Sequence, residues 1–331
     1  MIGKIEKKLI FFGVSTWIIS WTLWYGSGVL GRNEDFVYDK RWLIAQIGVF
    51  APSLSALLIS SFRDSTSRYN SIRIFFLFIP VFLGGYFISV FVPHSIKEFS
   101  PVSSAIILLL GLLTSVFFSS WNRRLYIPST GEIPGKAQMK YKALAILGMP
   151  LLFMACWILT CLNANDFSIS SLDEGPGNFI RILFTAFFMN LIFGGSLGEE
   201  IGWRGFALPL LLKKYAPLQA SFILGVAWAF WHLPVDISGV GMSPLPAIIA
   251  RFTWTLPLTV VFTWFYINTG GNLLIPILLH TSVNVLPDLG FSNYEKTMGL
   301  FTLAIIIVSV IVLRDSKMQR LPSDQLFRPS D

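Results

Sequence analysis

"SLGEEIGWRGF", residues 196–206, places two adjacent glutamates and an arginine between the largely apolar runs 179–195 and 207–212. If those runs lie in a bilayer, each charge at its centre costs about 2.5–3.5 kcal/mol, so three left unpaired would cost on the order of 8 kcal/mol. Something must offset that cost. Glu200 and Arg204 are spaced i, i+4, one above the other on a helix face and with the acid nearer the N-terminus, the better order for a pair. Glu199 is turned about 100° away, so Arg204 does not easily serve both acids. The plain alternative is an interfacial charge cluster where a helix leaves the membrane. Depth decides between the two.

Membrane burial is what the composition implies. The chain has 331 residues, of which 54% are hydrophobic and only 13% charged, and its mean hydropathy is +0.66. A soluble domain carries about 25% charged residues. A hydrocarbon core of about 30 Å takes roughly 20 apolar residues of helix, and such runs recur at 9–30, 42–61, 74–93, 101–121, 143–163, 179–214, 218–238, 244–267, 272–289 and 297–313. The expected fold is therefore an all-α, polytopic membrane bundle of about ten helices, with eight or nine as alternatives. The stretch 179–214 is too long for one straight span. Gly194, Gly195 and Pro209 are plausible breaks, and residues 179–190 are candidates to lie along the outer surface.

The net charge of +7 does not point to nucleic acid, because the basic residues occupy loops between apolar runs, where they set orientation. Lys4, Lys7 and Lys8 precede the first run; Lys136, Lys140 and Lys142 precede the fifth; Lys213 and Lys214 follow the sixth; Arg314, Lys317, Arg320 and Arg328 follow the last. Both termini accordingly read as cytoplasmic in a multi-pass protein of the cell membrane, although Arg32, Lys40 and Arg41 in the loop 31–42 break the pattern. The opening "MIGKIEKK" with its apolar run lacks a clear small-x-small cleavage site and reads as a retained first helix. Cys156 and Cys161 lie on one apolar run but point to different faces, as packing residues.

Chemical interest is concentrated after residue 178. Residues 1–178 hold transmembrane runs without a recognised motif, 179–290 the polar core, and 291–331 a last run and a tail. Taking Lys213 as a membrane exit, Glu199 lies about 21 Å back along a continuous helix. His232 is again about 21 Å in from Leu218, and His280 and Asn284 are about 12 and 18 Å in from Asn272. An isolated histidine on an apolar helix is more commonly a satisfied core residue than a catalyst. Here two of only three histidines reach the depth of the glutamates, and His280 and Asn284, at i, i+4, share a face from which both side chains would donate to a common point. Asp236 and Arg251 balance each other or Glu199. Trp228, Trp231 and Trp254 read as packing or interface residues.

Glu199-Glu200-x-x-x-Arg204, Trp228-x-x-x-His232 and His280-x-x-x-Asn284, in that order on successive apolar runs, resemble the CAAX-protease and bacteriocin-processing (CPBP, or Abi) family of intramembrane glutamate endopeptidases. The resemblance covers about 110 residues, one third of the chain. One departure is Trp228, where the family often carries Phe. The resemblance implies a peptidase that cuts a membrane-associated peptide or protein without a cofactor. Glu199 would be the general base, His232 its partner in holding water, His280 and Asn284 the oxyanion stabilisers, and Glu200 and Arg204 supporting residues. Water at this depth would need a polar chamber, expected to open to the cytoplasm.

Two rivals use the same residues. Two histidines and a glutamate suit a catalytic zinc, although H-E-x-x-H is absent and no local spacing demands metal. A noncatalytic transporter or immunity protein with a buried polar site is the other; a transporter would show ion-coupled flux, and both would tolerate changes that abolish peptidase activity.

Overall fold

A computed structural model describes residues 3–28, 30, 40–61, 135–238 and 243–319. The expected runs 74–93 and 101–121 lie outside the described residues. The elements are α1 (Lys4–Ser27), α2 (Lys40–Val49), α3 (Ala51–Ser61), α4 (Gly135–Ala164), α5 (Pro176–Ile192), α6 (Ser196–Gly202), α7 (Leu208–Leu212), α8 (Pro217–Trp231), α9 (Leu233–Ile237), α10 (Pro244–Asn268), α11 (Leu274–Asn284) and α12 (Tyr294–Val312). No strand forms among the described residues; one isolated antiparallel bridge joins Ile169 to Phe291. Five helical stretches are long and apolar enough to cross a membrane, and three shorter apolar ones accompany them. The chain is thus a membrane-embedded helical bundle.

Three of the expected apolar runs are broken, each for a local reason; a break was expected only in 179–214. The run 42–61 becomes α2 and α3, which meet at Phe50, just before Pro52, a residue with no amide hydrogen for the ladder. The run 179–214 splits at Phe193–Gly195, where Gly195 has φ 99°, a conformation open chiefly to glycine. The chain then passes from α6 to α7 through a π turn at Trp203–Ala207, a geometry often found at functional sites. The run 218–238 turns at His232, between α8 and α9. Both ends of α5 are tethered to one short stretch: Ser171, which accepts from Asn178, donates to the Leu289 carbonyl, and Asn190 donates to Asp288.

The bundle is apolar outside and dotted with small hydroxyls inside. Ile10, Ile18, Leu147, Leu151, Ile307 and Val310 are exposed, whereas Thr16, Ser20, Thr259, Thr263 and Thr281 are buried. Small residues between helices allow close backbone approach, and the outer face suits lipid. Thr259, Thr263 and Thr281 each donate to the carbonyl one turn back, which pairs these hydroxyls in a medium that would penalise a free one; those of Thr16, Ser55, Thr185 and Ser196 have no partner among the described residues. At one end of the bundle Lys214 pairs with Glu6, and Asp315 accepts from Trp264 and Asn268. The start of α1 and the end of α12 therefore lie at the same end. The Arg251–Asp236 pair ties α9 to the start of α10 at the other.

α3 is seated directly against α6. A Cβ on Gly202 would lie 2.4 Å from the Pro52 carbonyl carbon, and one on Gly198 2.8 Å from the Phe50 ring; Ser53 donates to the Gly198 carbonyl. Gly202→Ala is expected to destabilise the protein by about 1–3 kcal/mol. Gly299→Ala, at a helical site with nothing within 4 Å of the added atom, should be neutral or stabilising by up to about 1 kcal/mol. Thermal unfolding of the purified protein checks both; a Gly202→Ala protein that melts like wild type would contradict the α3–α6 contact.

Candidate active site

α6 carries the acids of the opening motif into the centre of the bundle. Glu199 is 5% exposed, and Glu200 and Arg204 are fully buried. Arg204 Nη1 donates to Glu200 Oε1 at 2.8 Å, the i, i+4 pair expected from the sequence. The guanidinium lies between two rings, 4.3 Å from the centroids of both Trp228 and Phe262. A planar, weakly hydrated cation is suited to such stacking. His280 Nδ1 approaches the same Glu200 oxygen at 2.9 Å. Glu200 Oε2 and Arg204 Nε and Nη2 have no protein partner among the described residues.

Glu199 faces the other way. Its Oε2 accepts from the Trp228 indole Nε1 at 2.7 Å. His232, at the turn after α8, sets Nδ1 2.9 Å from the Trp228 carbonyl oxygen. A carbonyl only accepts, so Nδ1 carries the proton and Nε2 keeps its lone pair in the neutral ring. The turn is braced by α1: Trp21 donates to the Trp231 carbonyl, and Trp231 donates to Ser20. Asn284 Nδ2 donates to the Gly194 carbonyl at 3.1 Å, which fixes the backbone at the α5–α6 break.

Glu199, His232, His280 and Asn284 line one cavity of about 230 Å³, with Gly194, Trp228, Arg251, Trp254 and Phe262 among its other walls. Four side chains from α6, the α8–α9 turn and α11 therefore meet. Glu200 and Arg204 do not line it; they stand behind Trp228 and Phe262. By helix rise Arg251 is about 25 Å from Asn268 and Glu199 about 21 Å from Lys213, so the cavity extends towards the end opposite the termini. The Arg204 sandwich fills the side nearer to them.

The structure adds detail to two finer expectations. His280 and Asn284 do not spend their visible hydrogen bonds on a common point: one goes to Glu200 and the other to Gly194. What remains for the cavity is His280 Nε2 and the rest of the Asn284 amide. Because Glu200 takes the Nδ1 proton, His280 can donate from Nε2 only when the ring carries both protons. Trp228, read as packing, is instead in contact with Glu199, Arg204, His232 and His280. Its position one turn before His232 hinted at this, but its bond to another helix is not legible in local spacing. Arg251 and Asp236 pair with each other at 3.0 Å. Cys156 and Cys161 are buried and free, and no group of three or more His, Cys, Asp or Glu among the described residues is placed to hold a metal ion.

Breaking a buried ion pair strands the partner charge and costs about 3–5 kcal/mol. Arg204→Met is expected to lower stability by about that much, while Glu200→Gln together with Arg204→Met should recover a large part. Thermal melting of the three proteins is the check; a double variant no more stable than Arg204→Met would argue against a coupled pair.

Residues 178–286, which include Glu199, Glu200, Arg204, His232, His280 and Asn284, match the family described as Type II CAAX prenyl endopeptidase Rce1-like. The chain is also 26% identical over 183 residues to the CAAX prenyl protease 2 of Methanococcus maripaludis, an alignment covering 51% of this chain and 65% of that relative. The chain thus spans slightly less than two thirds of the relative it matches. Segment 178–286 of the chain is thus similar to the Rce1-like type II CAAX prenyl endopeptidases.

Proposed function

We propose that the chain is an intramembrane endopeptidase that hydrolyses a peptide bond of a membrane-associated peptide or protein, using water activated by Glu199. The observation that carries this is the single cavity shared by Glu199, His232, His280 and Asn284. Peptide hydrolysis needs a base for water, donors for the developing oxyanion and an acid for the leaving amine. Glu199 supplies the first and third in turn. With Oε2 held by Trp228, Oε1 takes a proton from a water that also donates to His232 Nε2. The water oxygen bonds to the carbonyl carbon, and the resulting oxyanion accepts from Asn284 and from doubly protonated His280. Collapse breaks the C–N bond as Glu199 returns its proton to the nitrogen, leaving a new carboxyl group and a free amine. The family name points to prenylated substrates, and lipid-facing helices suit a substrate that arrives within the bilayer.

Glu200 and Arg204 act from behind the cavity wall. Their pair, shared with His280, holds α6 and α11 in register. The basic residues Lys4, Lys7, Lys8, Lys213, Lys214, Arg314 and Lys317 gather at the end that carries the termini, which supports a cytoplasmic placement for both. The cavity would then reach water on the opposite side of the membrane.

The rival zinc site would use two histidines and a glutamate, but no group of three or more His, Cys, Asp or Glu among the described residues is placed to hold a metal ion. Hydrolysis by Glu199 alone entails activity that survives exhaustive chelation; loss of activity with stoichiometric restoration by zinc would favour the metal. The direct test compares membrane-associated peptides from cells carrying wild type, Glu199→Gln, His232→Ala or Asn284→Ala. A precursor should accumulate in each variant, with a fall in turnover of about 100-fold or more for a lost base or oxyanion donor. Identical peptide profiles, with the variants correctly inserted, would overturn the peptidase.

A further inference from the structure

Trp228 is buried, 4% exposed, yet its polar atoms serve the cavity it lines. The indole N–H goes to Glu199 Oε2 at 2.7 Å, and the backbone carbonyl takes the His232 Nδ1 proton at 2.9 Å. One face of its ring carries the Arg204 guanidinium at 4.3 Å, and the ring meets His280 in a T-shaped contact at 5.6 Å. A single residue of α8 thus touches the base, its histidine partner and two members of the buried network behind the wall. Phenylalanine at this position would fill much of the same space and would stack on Arg204, but would leave the Glu199 oxygen without its donor.

We infer that Trp228 is a positioning residue for hydrolysis: its indole N–H holds Glu199 Oε2, so that Oε1 alone is presented to the attacking water. This rests on the peptidase reading of the site. Two observations support it independently of packing. The bond runs from α8 to α6 across 29 residues of sequence and joins two buried polar atoms, so neither can turn to another partner without a desolvation penalty. The second is the backbone beneath the other oxygen. A Cβ on Gly195 would fall 2.4 Å from Glu199 Oε1, and Gly195 adopts φ 99°, so glycine both makes the turn and keeps that oxygen clear. One carboxylate oxygen is tied and its twin is left room. A base held within a few tenths of an ångström of its target is what makes proton transfer efficient, and modest misplacement is costly.

The test separates the N–H from the ring. Replacing Trp228 by 3-benzothienyl-alanine, which substitutes sulfur for the indole N–H, preserves size and stacking on Arg204; Trp228→Phe removes the N–H with some loss of area. Both are expected to lower kcat about 10-fold or more, the effect of losing one hydrogen bond to a charged group, with KM unchanged. The thermal midpoint of the benzothienyl protein should fall by no more than the few degrees that one lost buried hydrogen bond costs. A packing role alone would leave its kcat intact, and that result, with Glu199→Gln inactive, would overturn the inference while leaving the peptidase standing. Nitrogen-15 spectra of the indole groups of the full chain add a readout that needs no turnover. The resonance missing from Trp228→Phe should move in Glu199→Gln, and an unmoved resonance would also overturn the inference. Wild-type protein that cleaves nothing would instead defeat the peptidase reading, with the spectra still deciding whether the bond exists.

Discussion

The buried ion pair between Arg204 and Glu200 is the constraint on which the rest of the structure depends. A guanidinium with no exposure to solvent is tolerable only where several partners share its charge. Here one carboxylate accepts from it and two aromatic faces enclose it. The same carboxylate oxygen receives His280. The consequence is mechanical as well as electrostatic: α6, α8, α10 and α11 each contribute a group to one small network, so none of the four shifts without disturbing the others. Glu199, next to Glu200 on α6, inherits its position from that arrangement.

Rigidity behind the wall leaves the wall itself free for chemistry. Glu199, His232, His280 and Asn284 each use one polar atom to fix their own orientation and face a common space. Oriented groups in a site of low dielectric interact more strongly with developing charge than the same groups in water. The braces come from elements that carry no motif. α1 holds the α8–α9 turn through Trp21 and Ser20, and α3 fits against Gly198 and Gly202 of α6. The first helices are therefore part of what keeps the site in shape.

The membrane bundle, the Glu200–Arg204 pair and the common depth of the four cavity residues were legible in the sequence, because hydropathy runs and i, i+4 spacing are local properties. The helix break at Gly195 was legible in kind, since glycine marks its own backbone limits, whereas the break before Pro52 interrupts a run read as one span. The partners of His280 and Asn284 were not. Spacing places them on one face, but which acceptor each meets depends on how α11 is rotated against α6, a tertiary matter. Trp228 was misread for the same reason: an indole among apolar residues looks like packing until the carboxylate from another helix is beside it. Loop charges report orientation and not which end of a bundle is plugged, so the side from which water arrives was not legible in the sequence.

The central claim is that these side chains surround one trapped solvent molecule within the bilayer. The most direct measurement is an experimental density map of the full chain in lipid, fine enough to show ordered water. One solvent oxygen within hydrogen-bond reach of both Glu199 Oε1 and His232 Nε2, with His280 and Asn284 facing the space beside it, is the expected result. A dry cavity filled by lipid or apolar side chains, or a Glu199 carboxylate turned away to pair with Arg204, would contradict it.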